Sequence, residues 1–248
     1  REGYHFTGWD ADFSNITSDL IVTATFALNE YTLTYSAGAN GSITGTATQT
    51  VNHGSDGTAV TAVPDTGYHF VKWSDDVTTT TRTDENITEN LSVTATFAIN
   101  TYTVTFKNWN DSELKTETVE HGSGATAPAE PTREGYHFTG WDMDFSNITS
   151  DLTVTATFAI NTYTVTFKNW DGNELKTETV EHGSGATTPA EPTREGYHFT
   201  GWDADFSNIT SDLIVTATFA LNEYTLTYSA GANGSITGTA TQTVNHGS

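Results

Sequence analysis

The sequence predicts a mainly β protein built from small modules in tandem. Apolar residues alternate with threonine in short runs, such as Tyr-Thr-Val-Thr-Phe at 102–106, and a period of two is typical of a strand with one buried face. The 61 residues that begin at Tyr102 return from Tyr163 onward with 8 differences. Nowhere does a helical apolar period persist for several turns.

The copies form a higher-order repeat. Equivalent tyrosines are spaced 71, 61 and 61 residues apart, and residues 1–55 recur unchanged as 194–248. Because both ends fall inside a copy, we expect the chain to be part of a longer one. The predicted modules are the C-terminal half of a repeat at 1–30, a divergent repeat at 31–101, repeats at 102–162 and 163–223, and the N-terminal half of a divergent repeat at 224–248.

Within the copy 102–162, four strands and their connections can be placed in order. The predicted elements are a strand at 102–106, a turn at 110–112, a strand at 113–120, a break at 121–124, a proline-containing crossing at 127–133 with at most one short helical turn, a strand at 136–141, a polar loop at 144–151 and a strand at 152–158. The predicted core is aromatic: Phe106, Tyr136, Phe138, Trp141 and Phe158. Short linkers between copies predict a stiff, elongated array.

Composition excludes several classes of function. The chain has 9 basic and 31 acidic residues, for a net charge of −22, which disfavours nucleic acid and anionic lipid as partners. It has no cysteine, so it has no disulfide or thiolate chemistry. No apolar run is long enough to span a bilayer, and no membrane insertion is expected in this segment.

At this level of detail the copies resemble a known family. The runs YTVTF, TETVEHGSGAT and LTVTATF, with P-x-R-E-G-Y-x-F-x-G-W at 131–141 and 192–202, are similar to the internalin B-type repeat, also called the Listeria–Bacteroides repeat. The copy at 31–101 resembles the divergent branch, with GYHFVKW at 67–73 and without the Arg-Glu pair. The resemblance implies a β-grasp-like module with parallel, adjacent first and last strands. It also implies use in extracellular stalks and adhesins of bacteria and some archaea.

The eight histidines occur at two repeated positions. They could form a metal site or a pH switch at module junctions, or they could be ordinary strand and turn residues copied by duplication. We favour duplication, because no second ligand type recurs beside them at metal-like spacing. The histidines within GYHF are His5, His69, His137 and His198, and those before a glycine are His53, His121, His182 and His246.

No catalytic, metal-binding or cofactor-binding residues are predicted. Paired carboxylates such as Asp142 and Asp144 could hold Ca²⁺ or act in a glycosidase. However, the calcium-loop pattern is absent, and enzymes seldom need the same site in every module. The hydrolase, phosphate-loop and zinc-protease motifs are also absent, so we expect no enzyme.

Two sets of residues are candidates for other sites. Asn15, Asn147 and Asn208 begin Asn-x-Thr sequons in the predicted exposed loop, where N-glycosylation requires them. Trp109 and Trp170 follow the first strand and could bind a glycan or a surface protein. Alternatively, these tryptophans cover a neighbouring module.

The sequence therefore predicts a non-enzymatic structural region of a long extracellular, cell-surface or secreted fibre protein. It would act as a stiff stalk, a fibre or a filament-forming element. Its expected partners are other copies of itself, bound head to tail or laterally. The alternative is an adhesin module that recognises a glycan or a host protein.

Overall fold

Every regular element of the protein is a strand. The computed structural model describes residues 1–248, with 19 strands and no helix, which confirms the mainly β prediction. No helix that could cross a membrane is present. The proline-containing crossing forms no helical turn, since proline cannot donate the backbone hydrogen bond that would continue one.

The chain divides into two compact units that do not follow the repeat boundaries. The first consists of Arg1–Lys107, Ser112–Pro128 and Met143–Val154. The second consists of Asn108–Asp111, Ala129–Asp142 and Thr155–Ser248. The copy 102–162 is therefore shared between the units, whereas 31–101 and 163–223 each lie within one.

The strands follow the repeats. The residues before 31 form β1 (Tyr4–Trp9) and β2 (Ala24–Leu28). The divergent copy forms β3 (Glu30–Ala37), β4 (Gly41–Thr44), β5 (Thr48–Asn52), β6 (Val60–Pro64), β7 (Tyr68–Trp73), β8 (Thr81–Arg82) and β9 (Leu91–Ile99). The next copy forms β10 (Thr101–Lys107), β11 (Glu113–Glu120), β12 (Tyr136–Trp141) and β13 (Leu152–Ile160). The last residues form β14 (Thr162–Lys168), β15 (Glu174–Glu181), β16 (Tyr197–Trp202), β17 (Leu213–Leu221), β18 (Glu223–Thr227) and β19 (Thr241–Asn245).

The copy 163–223 shows how a complete module is built. Its four strands form one sheet in the order β15-β14-β17-β16. Strands β14 and β15 pair antiparallel, and so do β16 and β17. The first and last strands, β14 and β17, pair in parallel from Val165 opposite Leu213 to Lys168 opposite Thr216. The parallel pair that the family resemblance implied is therefore present.

One face of this sheet carries the core. Val165, Phe167 and Val215 are fully buried, and Ile209 from the loop before β17 is nearly so. Thr164 and Thr166 alternate with the buried residues and point the other way, as the two-residue period requires. The alternation of apolar residues and threonine therefore reports which face of each strand is buried.

The predicted aromatic core is largely wrong. Of its five members only Phe106 is fully buried, whereas Tyr136, Phe138, Trp141 and Phe158 are half-buried. Phe138 lies edge-on to both Trp141 and Phe158, at ring-centroid distances of 5.4 and 5.9 Å. The other fully buried side chains of this copy are aliphatic, and in the copy 163–223 the counterpart of Trp141, Trp202, packs against the buried cluster without being enclosed by it.

The prediction of four strands per module is wrong for the divergent copy. Its seven strands form a four-stranded sheet, β5-β3-β9-β7, and a three-stranded sheet, β4-β6-β8. The longer spacing of this copy makes room for the second sheet. Val60 and Ala62 of β6 are buried in its core, where the regular copies have a proline-containing crossing.

A buried arginine links the sheets of the divergent copy. The Arg82 guanidinium donates to Asp75 at 2.9 and 2.8 Å and to Asp84 at 3.0 and 2.6 Å. It also lies 5.2 Å from the Trp73 ring centroid. The Tyr35 hydroxyl donates to Asp84 at 2.6 Å; burial and this bond raise the pKa of Tyr35. A buried charge is tolerated only when paired in this way.

This network predicts acid sensitivity of the divergent copy. Hydrogen bonds from Arg82 lower the pKa of the Asp75 carboxyl. The stability that the ionised Asp75 carboxylate contributes is therefore fully present above the unfolded-state pKa of about 3.9. It is lost as the pH falls through the lower pKa of Asp75 in the folded chain. Asp75→Asn should lower the unfolding free energy at pH 7, and the difference from the parent chain should shrink below about pH 4.

The measurement is amide hydrogen exchange of residues 60–100 at several pH values, with each rate corrected for the intrinsic exchange rate at that pH. Asp76→Asn is the control, because the Asp76 side chain makes only an exposed ion pair with Lys72, and such pairs contribute little. Equal behaviour of the two variants would contradict the assignment.

Candidate functional site at the module junction

Adjacent modules are joined by a single asparagine. Asn161 is the only residue between β13 and β14, and Asn222 is the only one between β17 and β18. Asn29 and Asn100 occupy the same place after β2 and β9. The last strand of one module thus continues almost directly into the first strand of the next, which leaves few backbone dihedrals free to bend.

The backbone of this asparagine is bound on both sides. Asn161 N donates to Gly135 O of the preceding copy at 2.8 Å, and His182 N of the following copy donates to Asn161 O at 2.8 Å. The same pair of bonds, at 2.8–2.9 Å, recurs at each of the other three junctions. These bonds join Asn29 to Gly3 and His53, Asn100 to Gly67 and His121, and Asn222 to Gly196 and His246.

The side chain of the asparagine holds one of the two repeated histidines. Asn161 Oδ1 lies 2.9 Å from His137 Nδ1. Because an amide oxygen can only accept, this contact places a proton on Nδ1. The equivalent contacts are His5–Asn29 at 3.1 Å, His69–Asn100 at 2.8 Å and His198–Asn222 at 3.1 Å.

The second repeated histidine packs against a glycine of the preceding module. A Cβ atom on Gly135 would lie 2.5 Å from His182 Cδ2, and Gly135 has φ +75°, so both the space and the backbone conformation require glycine. Tyr163 Oη lies 3.5 Å from His182 Nδ1, with ring centroids 5.9 Å apart. The other three junctions repeat this packing, with Gly3 and His53, Gly67 and His121, and Gly196 and His246.

All eight histidines therefore lie at module junctions and serve packing and hydrogen bonding. No group of three or more His, Asp or Glu side chains is placed to hold a metal ion. The asparagine was not singled out from the sequence. Its recurrence in the run F-A-[IL]-N between the last and first strands of each pair of modules was the available signal.

The paired carboxylates fasten loops. Asp203 Oδ1 accepts from Thr216 N at 2.6 Å, and Asp205 Oδ1 accepts from Ser207 N at 2.9 Å. The bond from Ser207 lowers the pKa of Asp205. Asp212 Oδ1 accepts from Thr164 N at 2.8 Å, next to the parallel strand pair. These acidic residues therefore organise the backbone of each module.

The two candidate tryptophans lie against arginines of their own copies. The Arg194 guanidinium lies 4.3 Å from the Trp170 ring centroid and 3.7 Å from that of Tyr197. Arg133 lies 4.6 Å from Trp109 and 3.6 Å from Tyr136. Such stacking is favourable. The arginine covers part of each tryptophan ring, and each tryptophan remains about half exposed.

The candidate glycosylation residues lie where the sequence placed them, on exposed loop positions. Asn15, Asn147 and Asn208 are all exposed. The isoleucines that follow Asn147 and Asn208 are buried in the core, so the two side chains are fixed at the surface by a neighbouring anchor. Modification of these asparagines stays a prediction.

Known repeat families match most of the chain. The Listeria–Bacteroides repeat domain matches residues 102–161 and 163–219, and the divergent InlB B-repeat domain matches residues 31–101. Residues 102–161 and 163–219 therefore belong to the Listeria–Bacteroides repeat family, and residues 31–101 belong to its divergent InlB B-repeat branch. Within this family, the junction residues described above connect regular copies to regular and to divergent ones.

Relatives of this repeat array are longer proteins. A protein of Evansella cellulosilytica, whose name places it in a membrane, is 32% identical over 185 residues, covering 65% of this chain and 28% of that protein. Internalin H of Listeria monocytogenes is 43% identical over 86 residues, covering 30% of this chain and 15% of that protein. The chain thus spans less than a third of the length of these relatives.

Two solved structures are similar to parts of the array. The SHIRT domains 3-4 of a streptococcal cell surface protein have 24% identity and a TM-score of 0.24, covering 49% of this chain and 98% of that one. The Bacillus anthracis TIE protein has 8% identity and a TM-score of 0.32, covering 80% of this chain and 54% of that one.

The junction geometry predicts that glycine is required at position 135. Gly135→Ala should destabilise the chain by about 1–3 kcal/mol, because a side chain is strained at positive φ and would also displace the His182 ring. Hydrogen exchange at the amides of Asn161 and His182 should accelerate. Chemical denaturation and exchange mass spectrometry give the two readouts.

The matched control is Gly172→Ala in the first turn of the copy 163–223. Gly172 has φ +85° but nothing within 4 Å of an added Cβ, so it carries the backbone strain alone. If the two alanine variants accelerate exchange at Asn161 equally, the contact between Gly135 and His182 does not hold the junction.

Proposed function

We propose that this chain is a non-enzymatic structural region of a cell-surface or extracellular protein, in which the modules act as a stiff stalk that transmits tension. The observation that carries the proposal is the parallel pairing of β14 with β17. The chain enters a module at the start of β14 and leaves it at the end of β17. In a parallel pair these two points lie at opposite ends of the paired strands.

Tension along the chain would therefore act along the strands rather than peel them apart. The four paired positions from Val165 to Lys168 would be strained together, and the bond from Thr164 N to Asp212 adds to them. The divergent copy has the same arrangement, with β3 parallel to β9 from Leu33 to Ala37. Every module that lies within one unit thus resists tension by the same geometry.

Membership of the repeat family and the likeness to Internalin H support a location outside the cell. An array of near-identical modules without a catalytic constellation also suits a spacer better than an enzyme. We propose that other copies of the chain are its partners, bound head to tail or laterally.

A second candidate function is adhesion through Trp109 and Trp170. Their half-exposed rings favour it, since aromatic faces commonly contact glycans and proteins, and the stacked arginines hold the rings in place. Trp170→Ala and Trp109→Ala should abolish binding to a glycan array if this function is real. The control is that the double variant still folds, which unchanged amide hydrogen exchange in β14 and β17 would show.

The tension-bearing role predicts a strong dependence of unfolding force on pulling direction. The chain has no cysteine, so introduced pairs are unique attachment points. Thr162→Cys with Glu223→Cys loads β14 and β17 in shear. Glu195→Cys with Glu223→Cys pulls the open end of the antiparallel hairpin β16–β17. We expect the shear pair to require a several-fold higher unfolding force in single-molecule experiments.

All three positions are exposed, so the substitutions should leave the core intact. Equal unfolding forces in the two directions would contradict the proposed role, because the module would then not distinguish shear from unzipping.

A further inference from the structure

A buried glutamine of the divergent copy binds both backbone groups of one threonine. Gln49 is 7% exposed. Its Oε1 accepts from Thr58 N at 2.6 Å, and its Nε2 donates to Thr58 O at 2.9 Å and to Thr46 O at 3.0 Å. A carboxamide can accept at one end and donate at the other. The Gln49 side chain therefore holds the segment after β5 against the sheet, and we call this contact the clasp.

The regular copies make the same clasp with two charged side chains. Glu178 Oε1 accepts from Thr187 N at 2.5 Å, and Lys176 Nζ donates to Thr187 O at 2.7 Å. Lys176 also donates to Glu178 Oε2 at 2.8 Å, which closes the ring of contacts. The copy 102–162 repeats the arrangement with Glu117, Lys115 and Thr126.

The strand register shows that the two kinds of clasp are equivalent. Gln49 lies opposite Leu33 on the first strand of its copy, and Glu178 lies opposite Val165 on the first strand of its own. In every copy the bound threonine follows nine residues later. Ala47 stands where the regular copies have the lysine. A neutral amide thus does in the divergent copy what an ion pair does in the regular ones.

Two other backbone hydrogen bonds differ between the copies in the same way. In the copy 163–223 an aspartate accepts from the first strand and another accepts from the last strand, whereas an asparagine and a serine accept in the divergent copy. The matched bonds are Thr164 N to Asp212 and Thr32 N to Asn90, both at 2.8 Å, and Thr216 N to Asp203 at 2.6 Å and Thr94 N to Ser74 at 3.1 Å. Three contacts that carboxylates make in a regular copy are therefore made by neutral side chains in the divergent one.

The segment held by the clasp covers the core of the regular copy. Ala186, next to Thr187, packs against the buried cluster, and Ala186 N donates to Phe206 O at 2.9 Å. The side chains of Lys176 and Glu178 are only 29% and 22% exposed. Release of Thr187 would therefore open one side of this core to water.

The regular clasp depends on an ionised carboxylate. The hydrogen bond from Lys176 holds the pKa of Glu178 below its usual value, and bonds from Thr187 add to the effect. Lys176 is the charged group in contact with Glu178, whereas Val165 opposite it on β14 and Thr187 on the covering segment are uncharged. A proton on Glu178 Oε2 would point at an ammonium group, which cannot accept it.

The direction of the pH effect follows from the lowered pKa. The stability that the ionised Glu178 contributes is fully present above the unfolded-state pKa of about 4.3. It is lost as the pH falls through the lower pKa of Glu178 in the folded chain. The same holds for Glu117, whose pKa is lowered chiefly by the hydrogen bond from Lys115.

We propose that each regular copy carries an acid-released clasp on the segment that leads into its proline-containing crossing. The divergent copy carries the same clasp in a form without ionisable groups. Its own acid sensitivity resides in the Arg82 network described above. The inference goes beyond the tension-bearing role and does not depend on it.

The test is amide hydrogen exchange of the 248-residue chain at pH 7 and pH 2.5, followed by mass spectrometry and corrected for the intrinsic rate at each pH. Peptides around Thr126 and Thr187 differ in mass, because Ala127 stands where the later copy has Thr188. Relative to the amides of β14, protection at both threonines should fall by roughly tenfold at pH 2.5, as the loss of a hydrogen bond to a charged group predicts. Unchanged relative protection would overturn the proposal.

The decisive variant places the neutral clasp in one regular copy. Lys176→Ala with Glu178→Gln gives the copy 163–223 the residues of the divergent copy at both positions. Thr187 should then keep its protection at pH 2.5, whereas Thr126 of the same molecule should still lose it. The unchanged copy is thus an internal control. If Thr126 and Thr187 continue to lose protection in parallel, the ion pair is not the acid-released group.

The reverse change should reverse the sign of the pH effect. Gln49→Glu places an acidic group where no lysine accompanies it, and burial favours its neutral form. A carboxylate cannot donate to Thr58 O, whereas a protonated carboxyl group can both donate and accept. Protection at Thr58 should therefore be lower than in the parent chain at pH 7 and should rise toward pH 5. Protection that stays constant over this range would contradict the role assigned to Gln49.

Discussion

The parallel pairing of the first and last strands is the constraint on which the rest of each module depends. Two parallel neighbours cannot be joined by a tight turn, so the chain must travel through β15 and β16 before it returns beside β14. That path places the two hairpins on either side of the central pair and leaves the module's entry and exit at opposite ends of it. A single asparagine can then connect one module to the next.

The strand pattern could be read from the sequence because burial dictates it. Runs such as Leu-Thr-Val-Thr-Ala-Thr-Phe alternate faces, and β11 and β12 begin and end where the pattern predicts. The family resemblance supplied the parallel pair, which periodicity alone does not fix. The core was predicted less well. The large apolar area of the aromatic side chains favoured them as core residues, whereas the fully buried positions of the sheet include the smaller Val165 and Val215.

The junction could not be derived from the sequence, because its contacts join residues that are far apart along the chain. The backbone of Asn161 is hydrogen-bonded to a glycine and a histidine that belong to different modules. The recurring asparagine is visible in the sequence, but no local pattern shows which glycine and histidine it contacts. The second sheet of the divergent copy was missed for a similar reason. Its strands β4, β6 and β8 are short, and Arg82, a charged residue, is one of the groups that its core encloses.

The uniform junction also has a genetic consequence. The same glycine, asparagine and histidine contacts join a regular copy to a regular one, and either kind to the other. Recombination between the repeated coding segments would therefore insert or delete whole modules without creating a novel boundary. An array altered in this way would change in length by 61 or 71 residues for each module, while every remaining connection keeps the same contacts.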